Sequence, residues 1–272
     1  MWVPDGGDLA VPVRRQNGFD LRFEWGSDGL RQLGPAAGAV VIVDVLRFTT
    51  AVSVAVGRGA RVLPYPWAGG NAETYAAQHN AWLAGRRENG EWSLSPTGLA
   101  RLPAGARLVL PSPNGSALAF AARDGGSAAR VLAGCLRNAS AVAAAASEVL
   151  PGGGAVAVIG AGEGWTGQPG QLRAAVEDLL GAGAILRALR VVAGIAVEQV
   201  SPEARAAMAA FDDARDDLPG WLLACESGRD LVGRGWRDDV EAAAVVDAEA
   251  VAPVLDGAAF VGVTAAPIRH LR

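Results

Sequence analysis

The chain has 272 residues and a formal net charge of −4, with 51% hydrophobic and 19% charged residues. This length fits one large α/β domain or two small ones, and the composition is typical of a globular rather than a disordered protein. The negative charge excludes an overall positive field that would attract nucleic acid or an anionic membrane. We therefore expect no nucleic-acid partner and no membrane partner.

The N-terminus has no apolar run of signal-peptide length, and no other segment reaches the roughly 20 apolar residues of a membrane span. Cys135 and Cys225 are the only cysteines. Two cysteines in a chain of this size favour reduced thiols, although one disulfide is compatible with the count. The sequence predicts a soluble, cytoplasmic protein.

Apolar runs rich in β-branched residues alternate along the chain with Ala-rich stretches of helical length. Strands are predicted at 18–25, 39–45, 61–64, 107–110, 130–132 and 155–159. Helices are predicted at 49–57, 70–84, 116–123, 138–150 and 171–187, with Asn138 as an N-cap. The alternation predicts a three-layer α/β fold, in which a mostly parallel sheet has helices on both faces.

The pattern changes after residue 200. Residues 201–211 and 219–226 are predicted to be helices, and two late strands are predicted at 240–246 and 259–263. We find no linker and no internal repeat in the sequence. A single domain over residues 1–272 is therefore favoured, with the C-terminal third, about 201–272, either completing the sheet or forming a subdomain.

Polar residues that follow the strands are the candidates for chemistry, because ligands of such sheets bind beyond the carboxyl ends of the strands. Asp44 ends the apolar run of the second strand, where a buried carboxylate needs a cation, a hydrogen-bond network or a metal ion. Arg47, Thr49 and Thr50 follow at a predicted helix start, which offers an anion a guanidinium, hydroxyls and free amides. The structural alternative is an ion pair between Asp44 and Arg47, with a threonine capping the helix.

The segment SPNGS at 112–116 lies between a strand and a helix. Its Asn-Gly pair favours a tight turn, and Ser116 is a plausible cap for the helix. The amides and side chains of Asn114, Gly115 and Ser116 suit a phosphate. A purely structural turn has similar sequence requirements, so this segment alone does not decide between the two.

The glycine-rich segment GAGEG at 160–164 has only part of the dinucleotide-binding fingerprint, because WTGQPG intervenes before the predicted helix. We therefore give a dinucleotide-dependent oxidoreductase little weight. Glu177 and Asp178 are adjacent acids within that helix, about 100° apart around its axis, so at most one is expected to face the core. A buried one would ligate a cation or pair with an arginine, whereas two exposed ones would form an ordinary solvated face.

Other chemistries find no support in the sequence. His79 and His270 are the only histidines, and no Cys/His spacing resembles a zinc site. The chain has neither a G-x-S-x-G nucleophile elbow nor a G-x-x-x-x-G-K-[ST] phosphate loop. The segment SGR at 227–229, with Asp239 further on, is compatible with an anion contact at Arg229 and equally with a simple turn.

Five segments, taken in order, resemble motifs of the 2-phosphosulfolactate phosphatase family. VDVLRFTT at 43–50 resembles its D-V-L-R-A-T-T signature, and PNGSAL at 113–118 resembles T-N-G-T-x-A-L. The segments LRNASAV at 136–142, VEDL with GAG at 176–183, and the late S-G-R-x-L…D-V also match. Order and spacing agree from about residue 20 to 256.

The resemblance implies an α/β, Mg²⁺-dependent phosphatase that converts 2-phospho-3-sulfolactate to sulfolactate and phosphate, a step of coenzyme M synthesis, and a homo-oligomer, expected to be a dimer. Asp44 with Glu177 and Asp178 are the expected metal ligands, unless one of these carboxylates orients water or acts as nucleophile. Arg47 is expected to clamp phosphate or sulfonate. The expected neutral substrate-binding groups are Thr49, Thr50, Asn114, Gly115 and Ser116, with Arg229 as a second anion contact.

The chain departs from the family pattern at four places. Arg86 replaces a Glu in the segment at 83–90, the G-N-S-P loop is reduced to the residues around Ser95, and Pro113 and Gly160 replace a Thr and a Cys. These departures keep two alternatives open. One is a related phosphatase acting on another phosphoester, and the other is a non-catalytic homologue that binds an anion or metabolite.

Overall fold

The computed structural model of the protein describes residues 15–66, 71–87, 92–124, 129–165 and 168–264. The strands in these ranges are β1 (Leu21–Trp25), β2 (Ala37–Val43), β3 (Arg61–Pro66), β4 (Trp82–Leu83), β5 (Arg107–Ser112), β6 (Arg130–Gly134), β7 (Ala155–Gly160), β8 (Glu163–Trp165), β9 (Gln168–Arg173), β10 (Ala252–Asp256) and β11 (Ala259–Val263).

The helices are α1 (Gly26–Leu33), α2 (Phe48–Gly57), α3 (Ala72–Gln78), α4 (Pro96–Leu99), α5 (Gly115–Asp124), α6 (Ala139–Ser147), α7 (Val176–Val192), α8 (Pro202–Ala214), α9 (Leu218–Ala224), α10 (Glu226–Gly233) and α11 (Arg237–Ala243). No helix in the described part of the chain is long and apolar enough to cross a membrane.

The main sheet has nine strands in the order β1-β7-β2-β6-β10-β11-β3-β5-β4. The strands β1, β7, β2 and β6 form one parallel block, and β3, β5 and β4 form another. The antiparallel hairpin of β10 and β11 lies between the two blocks and pairs with β6 and β3. The mostly parallel α/β sheet that the sequence predicts is thereby confirmed.

Helices cover both faces of the sheet. Successive side chains of a strand point to opposite faces, and in β2 Val41 and Val43 pack with side chains of α6 and α7, whereas Val40 and Ile42 pack with those of α1 and α5. The continuous apolar run of β2 therefore reflects burial on both sides, as expected for a central parallel strand.

The C-terminal third contributes both to the sheet and to one of its covering layers. The strands β10 and β11 complete the sheet, while α8 to α11 join the core cluster that includes α7. The contact between α7 and α8 requires a glycine, because a Cβ at Gly183 would lie 2.1 Å from the carbonyl oxygen of Ala207. This close approach packs α8 directly against α7.

Two predicted elements are wrong in type. Residues 240–246, predicted as a strand, instead form the end of α11 and the loop that follows, because Val240 and Ala243 are buried at the i, i+3 spacing of a helix. Residues 171–173, predicted as the start of a helix, pair with β8 as part of β9, and the helix begins only at Val176.

One boundary and one helix cap also differ from prediction. The helix predicted at 70–84 ends at Gln78, and Trp82 and Leu83 pair with β5 instead; residue 70 lies outside the described residues. Asn138 does not cap α6 with its side chain. Its Oδ1 accepts from the amide of Cys135 at 2.9 Å, one turn earlier, so the carboxamide fixes the turn that precedes the helix.

Candidate active site

A cleft of about 880 Å³ lies beyond the carboxyl ends of β2, β5 and β7. Its lining comes from the loops that follow these strands, from the hairpin of β8 and β9, and from α10 with the residues after it. This is the edge at which an open parallel sheet binds ligands. Asp44, Arg47 and Asn114, three of the predicted site residues, line it.

Asp44 is held at the end of β2 by two main-chain amides. Its Oδ2 accepts from the amide of Gly115 at 2.8 Å, and its Oδ1 accepts from the amide of Phe48 at 3.1 Å. A Cβ at Gly115 would lie 2.7 Å from Asp44 Cβ and 2.7 Å from the Phe48 ring. The predicted Asn-Gly turn therefore supplies an amide and a bare Cα to the carboxylate, and that amide is not free for a substrate.

The hydroxyls predicted to bind the substrate serve the backbone instead. Thr49 Oγ1 donates to the carbonyl of Asp44 at 2.8 Å, and Thr50 Oγ1 donates to the carbonyl of Val45 at 2.7 Å. Ser116 Oγ accepts from the amide of Tyr65 at 2.7 Å. All three side chains are fully buried outside the cleft lining and shape the loops that carry the site. A direct part of these hydroxyls in substrate binding stays a prediction.

Asn114 connects two sides of the cleft. Its Nδ2 donates to Oε1 of Glu163 at 3.0 Å, and Glu163 also lines the cleft. Glu163 lies close enough to Asp44 for its charge to raise the pKa of that carboxyl. Glu163 is not among the predicted site residues, although it lies three residues after the end of β7, on the same edge of the sheet as Asp44 after β2.

Glu177 and Asp178 are both buried, contrary to the expectation that at most one would be. They lie in the first turn of α7, where side chains reach towards the loops at the edge of the sheet as well as into the core. Asp178 Oδ1 accepts from the amide of Val45 at 2.7 Å, and Oδ2 accepts from the amide of Gly162 at 2.9 Å. Oε2 of Glu177 is buried and has no hydrogen-bond partner among the described residues.

Burial makes the carboxyl groups of Asp44 and Asp178 hard to ionise. Burial raises the pKa of Asp44 from 3.8 to about 6, against the lowering effect of its two amide donors, and the charges of Glu163 and Glu177 raise it further. Burial also raises the pKa of Asp178 well above its usual range, with added repulsion from Asp44 and Glu177. The charges of Glu163 and Glu177 act on Asp44, and those of Asp44 and Glu177 act on Asp178, so a cation near these carboxylates would relieve their mutual repulsion.

The donor set fits a hydrated magnesium ion better than a metal held only by protein. Among the described residues, no three His, Cys, Asp or Glu side chains are arranged to enclose a metal ion. Mg²⁺ usually keeps several waters and takes only one or two carboxylates together with substrate phosphate. Asp44 opens onto the cleft, and Glu177 has an unpartnered buried oxygen near it. Asp178 has both oxygens bound to main-chain amides.

Arg47 pairs with Asp239 and not with Asp44, so the structural alternative raised for Asp44 is wrong. Arg47 Nη1 donates to Asp239 Oδ2 at 2.7 Å, and Arg87 Nη1 donates to the same oxygen at 2.8 Å. Ser95 and Thr97 donate to the other oxygen, Oδ1, at 2.7 and 2.9 Å. Asp239 is completely buried, and its four donors fix the position of Arg47 at the cleft.

Trp236 adds a second constraint on the arginines. Its ring lies 4.6 Å from the guanidinium carbon of Arg47, 5.6 Å from that of Arg234 and 5.7 Å from that of Arg87. These distances are within the range of cation–π attraction. Trp236 therefore holds several arginines near one another despite their like charge.

Arg229 and the departure at Arg86 both lie away from the cleft lining. Arg229 is exposed on α10, and the arginines that line the cleft besides Arg47 are Arg173 and Arg234. Arg86 is exposed, whereas its neighbour Arg87 binds Asp239. Residues 88–90 of that departing segment lie outside the described residues.

The residues that sequence reasoning missed fall into two kinds. Glu163 could have been found by the rule that selected Asp44, since both follow an apolar strand. Arg173 was hidden because residues 171–173 were assigned to a helix, and nothing local marks Arg234 or Trp236; Asp239 was noted beside the SGR segment at 227–229, but not as a partner of Arg47. Trp236 and Asp239 each contact both Arg47 and Arg87 from positions about 150 or more residues further along the chain, and Arg234 stacks on Trp236.

Comparison with known proteins identifies the family of the chain. Residues 29–258 match the family model for 2-phosphosulpholactate phosphatase. The chain is also 30% identical over 213 residues to the "Probable 2-phosphosulfolactate phosphatase" of Parasynechococcus marenigrum (strain WH8102), a match that covers 74% of this chain and 81% of that protein. The chain therefore belongs to the 2-phosphosulpholactate phosphatase family, and it is accordingly a phosphatase, that is, a phosphoric monoester hydrolase.

Proposed function

We propose that the protein hydrolyses 2-phospho-3-sulfolactate to sulfolactate and phosphate in a Mg²⁺-dependent reaction. The observation that carries the substrate is the cleft lined by Arg47, Arg173 and Arg234 around the buried Asp44. The proposed substrate has three acidic groups on a three-carbon frame: a phosphate, a sulfonate and a carboxylate. Guanidinium groups match all three, because their planar forks bind oxyanions in pairs of hydrogen bonds.

The reaction requires strong stabilisation of negative charge, since phosphate monoesters hydrolyse extremely slowly in water. Arg47 follows Asp44 by three residues, and only its Nη1 is used by Asp239. A guanidinium has five N–H donors, so the others are left for a phosphate in the cleft. We assign Arg47 to the phosphoryl group.

We assign Asp44 and Glu177 as the side chains that would hold the magnesium ion. The unpartnered, buried Oε2 of Glu177 near Asp44 supports this assignment, because such an oxygen is costly without a proton or a cation. A bound Mg²⁺ supplies Lewis-acid stabilisation of the phosphoryl oxygens. Glu163, which faces the cleft beside Asp44, is assigned to orient the attacking water.

Three further features enter the proposal through the family resemblance. These are a homodimer, a cytoplasmic location and a place in coenzyme M synthesis.

The test is phosphate release from 2-phospho-3-sulfolactate with added Mg²⁺ and with a chelator. Asp44→Asn should lower turnover by at least about 100-fold, the scale of one lost electrostatic contact in a transition state. The matched control is Asp216→Asn, which makes the same chemical change at a side chain that is 95% exposed. Circular dichroism of both variants checks that each is folded.

The outcomes separate the alternatives. Full turnover in the chelator would remove Mg²⁺ from the proposal, and full turnover of Asp44→Asn would remove Asp44. Faster hydrolysis of another phosphoester in a substrate panel would indicate that this phosphoester, and not 2-phospho-3-sulfolactate, is the substrate. Thermal stabilisation by the substrate without phosphate release would indicate a non-catalytic binding protein.

A further inference from the structure

The three arginines that line the cleft differ in their charge compensation. Arg47 pairs with Asp239 at 2.7 Å, and Arg234 pairs with Asp230 at 2.9 Å. Arg173 donates through Nη2 to the hydroxyl of Ser227 at 2.8 Å, and within the described ranges it forms no ion pair. Arg173 is therefore the cleft arginine that has most to gain from an incoming anion.

The hairpin of β8 and β9 carries Arg173 and an acid into the cleft side by side. Arg173 and Glu163 are directly opposite each other in the hairpin. Their side chains take different partners, since Glu163 accepts from Asn114, in the loop after β5, whereas Arg173 reaches Ser227 on α10. The hairpin thus places Glu163 near Asp44 and the guanidinium of Arg173 next to α10.

Arg173 is held in place by its backbone. Gly162 has φ +66° and would bring a Cβ within 2.9 Å of the carbonyl oxygen of Arg173, so only a glycine allows the two segments to lie so close. The amide of the same Gly162 donates to Asp178. The turn at Gly162 therefore contacts both the backbone of Arg173 and the carboxylate of Asp178.

We infer that Arg173, together with Ser227, binds the acidic group of the substrate that is not cleaved. This inference rests on the proposed function, in which Arg47 takes the phosphate. The hydroxyl of Ser227 accepts from Arg173 and still has a proton to donate to an oxyanion. The ligand chemistry is a sulfonate or a carboxylate attached to the same short carbon frame as the phosphate.

Three substrates distinguish these two groups. The full substrate is 2-phospho-3-sulfolactate, 2-phospholactate lacks the sulfonate, and O-phosphoisethionate lacks the carboxylate. We expect Arg173→Gln to lower kcat/KM for the full substrate by about 10- to 100-fold, the range of a charge-assisted hydrogen bond. For the truncated substrate that lacks the contacted group, the loss should be less than about threefold, because the contact is already missing.

Arg205→Gln is the matched control, since Arg205 is exposed on α8 and its replacement removes the same charge. Ser227→Ala gives a second, milder variant, which should show the same substrate pattern with a smaller loss. Thermal melting of each variant shows that it is folded. A loss confined to the two substrates with a sulfonate assigns that group, and a loss confined to the two with a carboxylate assigns the other.

Equal losses on all three substrates would overturn the inference, because Arg173 would then act on the phosphate or on the fold. Calorimetry keeps the inference testable if the protein hydrolyses none of the three. Sulfolactate, which has no phosphate, should bind the wild-type protein at least about tenfold more tightly than it binds Arg173→Gln. Equal affinity for the two proteins would overturn the inference independently of the proposed function.

Discussion

Two buried aspartates in this molecule are stabilised in opposite ways. Asp178 accepts from two main-chain amides, those of Val45 and Gly162, and its neighbours include other carboxylates. Asp239 accepts from two arginines, Arg47 among them, and from two hydroxyls. One carboxylate depends on the path of the backbone, and the other depends on side chains from distant segments.

The difference shows how the two sides of the cleft are built. On the acidic side, Asp44 follows β2, and Asp178 at the start of α7 is bound by amides of the loops that follow β2 and β7, so the fold of the sheet already sets the geometry. The basic side needs Asp239 and Trp236 from the C-terminal third to place Arg47. Amide donors compensate a buried negative charge only in part, which is why the pKa of Asp178 stays high.

The largest effect is expected from breaking the side-chain network. Asp239→Asn removes the shared negative charge of two half-buried arginines and replaces one acceptor oxygen by a donor, and removal of one partner of a buried ion pair costs about 3–5 kcal/mol. We expect the free energy of unfolding in urea to fall by that amount. We also expect kcat/KM to fall by about 10-fold or more, because Arg47 loses a charge-assisted hydrogen bond.

Asp238→Asn is the control for this change, since the neighbouring Asp238 side chain is 52% exposed and pairs with Arg87 at the surface. It should cost less than about 1 kcal/mol. A double-mutant cycle between Asp239→Asn and Arg47→Gln separates positioning from stability. If Asp239 acts through Arg47, their losses in kcat/KM are not additive; additive losses would contradict this role.

On the acidic side we predict how the free energy of unfolding depends on pH, because Asp44 is more stable in its protonated form. The native state holds the proton of Asp44 more tightly than the unfolded state, because its pKa rises from 3.8 to about 6. In metal-free protein this contribution is fully present below pH 3.8 and is lost as the pH rises through about 6. The free energy of unfolding should fall over that window by on the order of 3 kcal/mol more in the wild type than in Asp44→Asn.

The measurement is urea denaturation at several pH values between 3.5 and 7, in buffers with a chelator. The raised pKa of Asp178 adds a fall in both proteins, which is smaller in Asp44→Asn because the charge of Asp44 contributes to it, so the difference between the two curves reports Asp44 together with its coupling to Asp178. Asp216→Asn should run parallel to the wild type. Parallel curves for wild type and Asp44→Asn would show that the native pKa of Asp44 is not raised.

A smaller effect is expected from a side chain at Gly115, whose amide binds Asp44. Gly115→Ala places a methyl group 2.7 Å from Asp44 and from the Phe48 ring. Overpacking of this kind costs about 1–3 kcal/mol, and it should also lower phosphatase activity by displacing the amide that binds Asp44. Gly152→Ala is the control, because its Cβ meets no atom within 4 Å. If both variants melted and turned over alike, the close approach at Gly115 would not matter.

Most of the fold follows from the sequence because its strands are marked locally. The β2 run of valine and isoleucine, covered on both faces, predicts a central parallel strand, and the structure has one. The prediction failed where the pattern was ambiguous: residues 240–246 are rich in alanine and valine, which fit either element. It also failed at β9, where a strand pairs only with its short neighbour β8.

The candidate site is predictable in part for the same reason. Asp44 and Asn114 follow strands and were selected on that ground, and both line the cleft. Burial of Thr49, Thr50 and Ser116 could not be foreseen, because a hydroxyl that braces a loop and one that binds a ligand have the same sequence signature. Asp239 could not be assigned to Arg47 either, since 192 positions along the chain separate them.

The position of the last hairpin has a consequence for the order in which the protein is made. The strands β10 and β11 lie between the two parallel blocks, yet they are the last strands of the described chain to leave the ribosome. Asp44 belongs to one block and its partner Gly115 to the other. The nascent chain therefore carries Asp44 and Gly115 long before it has the hairpin that joins the two parallel blocks, so the sheet between the blocks can close only after β11 has been made.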